Sequence, residues 1–150
     1  MLFIVAGFVL VIDQVLKAYI RYMLPVGESV PLVPGILYLT HVRNSGAAFG
    51  IFPNQRIVFF IVSIAVIFLI LYYSKCIGKA DRLTTISLGL VLGGAIGNLI
   101  DRAISGRVTD FIDFRFWPVF NVADSVIVIG VILLSLNLIN SIRRERTEIK

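Results

Sequence analysis

A chain of 150 residues, 58% of them hydrophobic and only 15% charged, carries more apolar side chain than an ordinary soluble domain, and the composition points to a membrane protein. Its net charge of +5 does not make it a nucleic-acid binder, because the bases stand at the ends of apolar runs with no basic stripe interleaved with aromatics. Cys76 is the only cysteine, which excludes an intramolecular disulfide and any CxxC redox or zinc motif and leaves a plain buried or interfacial thiol.

Four apolar segments are expected to cross the membrane, over residues 2–20, 57–73, 83–104 and 122–142. The first is broken only by Asp13 and Lys17 and reaches about 28 Å at 1.5 Å per residue, close to a hydrocarbon core. It lacks a basic n-region and a small-x-small cleavage site, so it reads as a retained span. Asp13 and Lys17, at i and i+4, read as an ion pair that supports the site.

Residues 25–54 do not form a span, because Pro25, Pro31 and Pro34 interrupt them early. Residues 35–42 are rich in β-formers and predict a strand, and Asn44-Ser-Gly46 reads as a turn. A small external β-layer is therefore expected between the first two spans, joined by residues 111–117. His41, the only histidine, lies in that strand and reads as structural.

The second span is uniformly apolar and ends at Lys75. In the third, Gly89, Gly93 and Gly97 make consecutive small-xxx-small steps that let another helix approach closely. At its far end Asn98, Asp101 and Arg102 share one face, and Asp101 and Arg102 are expected to organise a polar network. The fourth span opens on Asn121 and Asp124, also on one face by their i, i+3 spacing.

Orientation follows from the density of bases. Lys75, Lys79 and Arg82 crowd one short connection, and Arg143, Arg144, Arg146 and Lys150 crowd the tail. The positive-inside rule places both, and both termini, in the cytoplasm. Lys17, Arg21, Arg43, Arg56, Arg102, Arg107 and Arg115 are spread over longer connections on the opposite side. Asp13, Asp101, Asp110 and Asp124 then gather at the outer face.

Elimination narrows the chemistry. No HExxH, no His/Cys cluster, no GxSxG elbow and no GK[ST] loop is present, so neither metal nor cofactor is called for and carboxylates remain as reactive groups. Asp110 and Asp124 can share one water-lined pocket, where two carboxylates holding one proton act together as acid and base on an amide. Asp113 rivals Asp110, and in a strand the two project on opposite faces. A proton relay or transporter would need stations across the bilayer, whereas these acids lie at one face. A scaffold would not need two acids so close.

Five blocks in order, Asp13-Gln-Val-Leu-Lys17, Arg43-Asn-Ser-Gly-Ala-Ala-Phe49, Gly93-Gly-Ala-Ile-Gly-Asn-Leu-Ile-Asp-Arg102, Val108-Thr-Asp-Phe111 and Phe120-Asn-Val-Ala-Asp124, resemble the lipoprotein signal peptidase (signal peptidase II) family over essentially the whole chain. The resemblance implies a membrane all-α fold of four transmembrane helices with a small extracytoplasmic β-layer, in one integral-membrane domain. It implies an aspartyl endopeptidase that removes the signal peptide of a prolipoprotein just before its diacylglyceryl cysteine. By the same resemblance Asp110 and Asp124 are catalytic, while Asn44, Gly46, Asn98, Asp101, Arg102 and Asn121 line or support the site. It further implies a bacterial inner-membrane protein, taken to act as a monomer, with membrane lipids as partners and globomycin-type cyclic peptides as inhibitors.

Overall fold

The computed structural model describes residues 1–46, 56–76 and 81–148. The described elements run α1 (Leu2–Met23), β1 (Ser29–Val33), β2 (Leu37–Asn44), α2 (Arg56–Cys76), α3 (Arg82–Ser105), β3 (Val108–Asp113) and α4 (Val122–Glu148). The four helices are each long and apolar enough to cross a membrane, with mean hydropathies between 1.7 and 2.7. The expectations for Ala47, Ala48, Phe49, the remainder of residues 50–54, the Cys76 side chain, Lys79, Arg146 and Lys150 lie outside what is described.

α3 is the hub. Its span is 56% buried, against 6% for α2 and 11% for α4, so the outer helices turn most of their surface to lipid. Glycine is what lets α3 sit there. A Cβ at Gly89 or Gly93 would collide with Val5, Val9 and the backbone of α1, and one at Gly94 would strike the Ala123 carbonyl of α4. α4 answers with Gly130, packed against the Ser87 carbonyl of α3. In lipid, where helices gain little from hydrophobic association, such close contact supplies much of the packing energy.

Local chemistry fixes the helix ends. α1 stops at Leu24, which is extended (φ −125°, ψ 121°), as a residue before proline should be. α3 begins on Asp81, whose side chain accepts from the Thr84 N–H, and ends on Gly106 in the left-handed region at φ 68°.

The strands form one antiparallel sheet in the order β1-β2-β3. Leu39 and Ile112 of the sheet pack with Phe111 on Ile20 and Leu24 at the end of α1. His41 fastens the same junction, its Nδ1 lying 2.7 Å from the Leu24 carbonyl oxygen, which agrees with a structural role.

The observed layer differs from the expected one in three places. No span forms across Pro25, Pro31 and Pro34, as expected, but β1 was not among the expected strands, and Pro31 lies within it. β1 is an edge strand, where a proline can be accommodated without interrupting the ladder. The strand expected over 111–117 instead runs over Val108–Asp113, and the chain then turns through Arg115 at φ 66°. β2 likewise lies about two residues later than the expected 35–42.

Candidate active site

β3 and the start of α4 carry two carboxylates to one cavity of about 600 Å³, whose wall also includes Asn44, Phe59, Arg102 and Trp117. Asp110 comes from the middle of β3 and is almost wholly buried. Its Oδ1 accepts from the Asn121 side-chain amide at 2.6 Å, and its Oδ2 accepts from the Asn44 amide at 2.8 Å. The β2–β3 register makes the second bond possible, since Val42 stands opposite Asp110 and Asn44 opposite Val108. Asn44 Oδ1 in turn accepts from the Gly46 N–H at 2.9 Å, which shapes the expected turn.

Asp124 enters from α4 through a reciprocal cap. The Asn121 side-chain oxygen accepts from the Asp124 N–H at 2.9 Å, and Asp124 Oδ2 accepts from the Asn121 N–H at 3.3 Å. This is the capping-box arrangement, with aspartate at the third helical position. The other oxygen, Oδ1, accepts from the Asn98 amide at 2.8 Å. Both carboxylates are therefore held by neutral amides, and no base lies within ion-pairing distance of either among the described residues.

Burial, and after it the neighbouring Asp124 charge, pushes the Asp110 carboxyl up to about 7, against the amides of Asn44 and Asn121 and the more distant Lys17 cation. A carboxyl at that value is poised to give or take a proton near neutrality.

Behind the dyad lies a network built on charge. Lys17, fully buried, donates to Asp13 at 2.9 Å and to the Asn98 carbonyl at 2.9 Å, and pairs with Asp101 at 3.4 Å. Asp13 Oδ1 also accepts from the Ala123 N–H at 3.0 Å, which pins the first turn of α4 to α1. Asp101 accepts from the Thr109 N–H at 2.9 Å and from Arg21 at 3.3 Å, tying α3 and α1 to β3. Gly97 leaves room for this cluster, because a Cβ there would overlap the Asp13 carboxylate.

The expected Asp101–Arg102 partnership is a correction. Asp101 turns to Lys17 and Arg21 on α1, whereas Arg102 turns to the cavity, its guanidinium 5.6 Å from the Phe59 ring centroid. Adjacent residues on a helix diverge by roughly 100°, so one face cannot hold both. Arg21, Thr109 and Gln14, whose amide donates to Asp13 and to the Gly97 carbonyl at 3.1 Å, were not singled out from the sequence. Arg21 was within reach of the spacing rule, since Asp13, Lys17 and Arg21 follow at i, i+4 and i+8.

Asp113 stands apart from the cavity. Burial would raise its carboxyl, but the Thr40 hydroxyl at 2.6 Å, the Arg115 N–H at 2.8 Å and the Arg115 guanidinium hold it below the usual range. Arg115 also stacks 3.8 Å from the centre of the Tyr38 ring, so this acid belongs to the sheet.

The sequence profile of the family described as signal peptidase (SPase) II matches residues 5–140. A lipoprotein signal peptidase of Halothermothrix orenii is 48% identical over 139 residues, covering 92% of this chain and 94% of that protein. One of Pelotomaculum thermopropionicum is 45% identical over 139 residues, covering 93% and 91%. Among solved structures, a bacterial membrane enzyme determined by the in meso method at 2.3 Å resolution superposes with a TM-score of 0.86 at 36% identity, over 91% of this chain and 86% of that one. A second, at 1.9 Å resolution, gives 0.82 at 37% identity over 90% of each chain.

Proposed function

The chain belongs to the signal peptidase II family, and we propose that it is an aspartyl endopeptidase that removes the signal peptide from diacylglyceryl prolipoproteins, cutting just before the lipidated cysteine. The observation that carries the reading is the pairing of Asp110 and Asp124 on one cavity wall, each held by neutral amides.

The two carboxylates share one proton in the active form. The ionised member takes a proton from water as it attacks the scissile carbonyl, and the protonated member donates to the carbonyl oxygen. The roles reverse as the tetrahedral intermediate collapses and the amine leaves. The pair titrates as a unit, so cleavage falls away at both pH extremes. Asn98 and Asn121 hold the carboxyl groups at the shared cavity, while Asn44 and Gly46 border it where a peptide backbone enters. Arg102 and Phe59 form part of its wall.

A substrate bearing one apolar helix and two acyl chains stays in the bilayer, and its scissile bond lies at the interface. The site accordingly faces the extracytoplasmic side of a bacterial inner membrane, with both termini cytoplasmic, by the density of Lys75 to Arg82 and of the C-terminal bases. Exposed Phe116 and Trp117 rest at that interface. The enzyme works as a monomer and is blocked by globomycin-type cyclic peptides. The deciding experiment is a gel-shift cleavage assay on a diacylated prolipoprotein with purified wild-type, Asp110→Asn and Asp124→Asn protein in lipid vesicles. Wild type cleaves and both variants are inactive while still inserting; cleavage by either variant defeats the reading.

A further inference from the structure

A second cavity, of about 430 Å³, draws its walls from the same three helices as the first, much further along them. Tyr73 of α2, Thr84 of α3, and Ser135, Asn137 and Ser141 of α4 line it together with Asp81, the cap of α3. Among the described residues of that wall, Asp81 alone carries a charge. Its carboxylate accepts from the Thr84 hydroxyl at 2.6 Å, the Thr84 N–H at 3.0 Å and the Asn137 amide at 3.0 Å. Asn137 also donates to Thr84 Oγ1 at 2.9 Å. An amide on a lipid-facing span is costly and persists where it has a partner or a task.

Between the cavities, residues 60–72 of α2 and 130–134 of α4 include no Asp, Glu, Lys or Arg. Asp124 and Asn137 are thirteen positions apart on α4, or about 20 Å along the axis. A signal sequence carries an apolar h-region of 7–15 residues after a basic n-region, and as a helix that h-region covers roughly 10–22 Å. The distance along α4 falls within that range, near its upper end.

We propose that the α2–α3–α4 seam measures the substrate's signal sequence: the apolar segment lies along it with the scissile bond at Asp110 and Asp124, and a basic n-region side chain seats its cation beside Asp81 among the hydroxyls of Thr84, Tyr73 and Ser141. This rests on the peptidase reading above. Lys75, Arg82, Arg143 and Arg144 stand near this end, but none of them lines the cavity. The rim is therefore basic, suited to anionic headgroups, while the notch itself is acidic.

The test uses two diacylated prolipoproteins that differ only in n-region Lys against Gln, cut by the full chain in phosphatidylglycerol vesicles with and without phosphatidylethanolamine. Wild type favours the Lys substrate by roughly two- to fivefold in kcat/KM, the size of one exposed charge contact. Asp81→Asn, which keeps a good helix cap, collapses that preference towards parity. Four extra leucines in the h-region, about 6 Å of helix, collapse it in the wild type too. Equal cutting of both substrates by wild type, or a preference that survives in Asp81→Asn, overturns the ruler while the peptidase reading stands. So does an Asp81→Asn effect that is the same for both substrates and appears only with phosphatidylethanolamine, which makes a lipid amine the occupant. If wild type cuts neither substrate, the peptidase reading itself fails, and the ruler with it.

Discussion

Asp110→Asn removes the carboxyl that burial and the neighbouring Asp124 push up to about 7, and the consequence for stability can be worked through. In the unfolded chain this group titrates near its ordinary 3.8. Between the two values the folded protein binds more protons than the unfolded one. The stability gained from the protonated form is therefore fully present below the unfolded value and is lost as pH rises through about 7. Each unit of pH inside the window costs about 1.4 kcal/mol, so the shift at Asp110, which depends in part on Asp124, removes on the order of 2–3 kcal/mol between pH 5 and pH 8. An amide at position 110 does not titrate, so that part of the slope vanishes. The absolute level is a poor readout, because the new amide nitrogen must face one of the two donors, Asn44 or Asn121. The assay is denaturant unfolding in detergent micelles at pH 5, 6, 7 and 8, with prolipoprotein cleavage followed in parallel. The variant is expected to be inactive and flatter in its pH dependence than wild type. A slope unchanged from wild type would refute the electrostatic account of Asp110, and residual cleavage would refute its catalytic role.

Lys17→Met leaves Asp13 buried without its cation and strips one partner from Asp101, at a cost of roughly 3–5 kcal/mol, so yield and thermal midpoint should fall sharply; an intact midpoint would show the network to be dispensable. Arg102→Ala leaves the Asp101 ion pairs untouched and should lower kcat/KM with the fold retained, whereas a collapse of stability would contradict its placement on the cavity wall. Asp113→Asn should keep much of the cleavage activity, because Asp113 is engaged by Thr40 and Arg115 in the sheet; an inactive, folded variant would shift the catalytic assignment. With Cys76 replaced by Ser, a cysteine at exposed position 116 should react with an impermeant thiol reagent from outside intact spheroplasts, and labelling only after lysis would invert the topology.

The spans were legible because apolar runs of the right length have few other homes, and the Gly89, Gly93 and Gly97 steps announced close packing. The far end of α1 was legible in part: the Asp13 to Lys17 spacing gives their pair, but nothing local shows that Asp101 completes it from another helix. Spacing rules speak within one element, and the partner of Asp101 is set by how α1 and α3 pack. Phe59 gave no signal, as one aromatic in a wholly apolar segment. β1 was hidden by Pro31, since a sequence does not say which strand will be outermost. Spacing separated Asp110 from Asp113 only as opposite strand faces, and it was the family resemblance that chose Asp110; their hydrogen-bonded surroundings also differ.

Those surroundings give a physical reason for the asparagines. Two kinds of acid occur within this one polar cluster. Asp13 and Asp101 touch cations, while Asp110 and Asp124 touch amides. A base in direct contact would favour a carboxylate's ionised form and work against a shared proton. Yet a pair of acids at membrane depth needs strong polar support to remain there. Asn98 meets both demands: its carbonyl takes the Lys17 ammonium at 2.9 Å, and its amide gives a hydrogen bond to Asp124 at 2.8 Å. Asn121 repeats the device, donating to Asp110 and to the Asn98 carbonyl. A neutral amide passes on orientation and polarisation without passing on a full charge. Lys17 therefore ties α1 to α3, and through Asp13 to α4, without touching the two carboxyl groups that the proposed mechanism has share a proton.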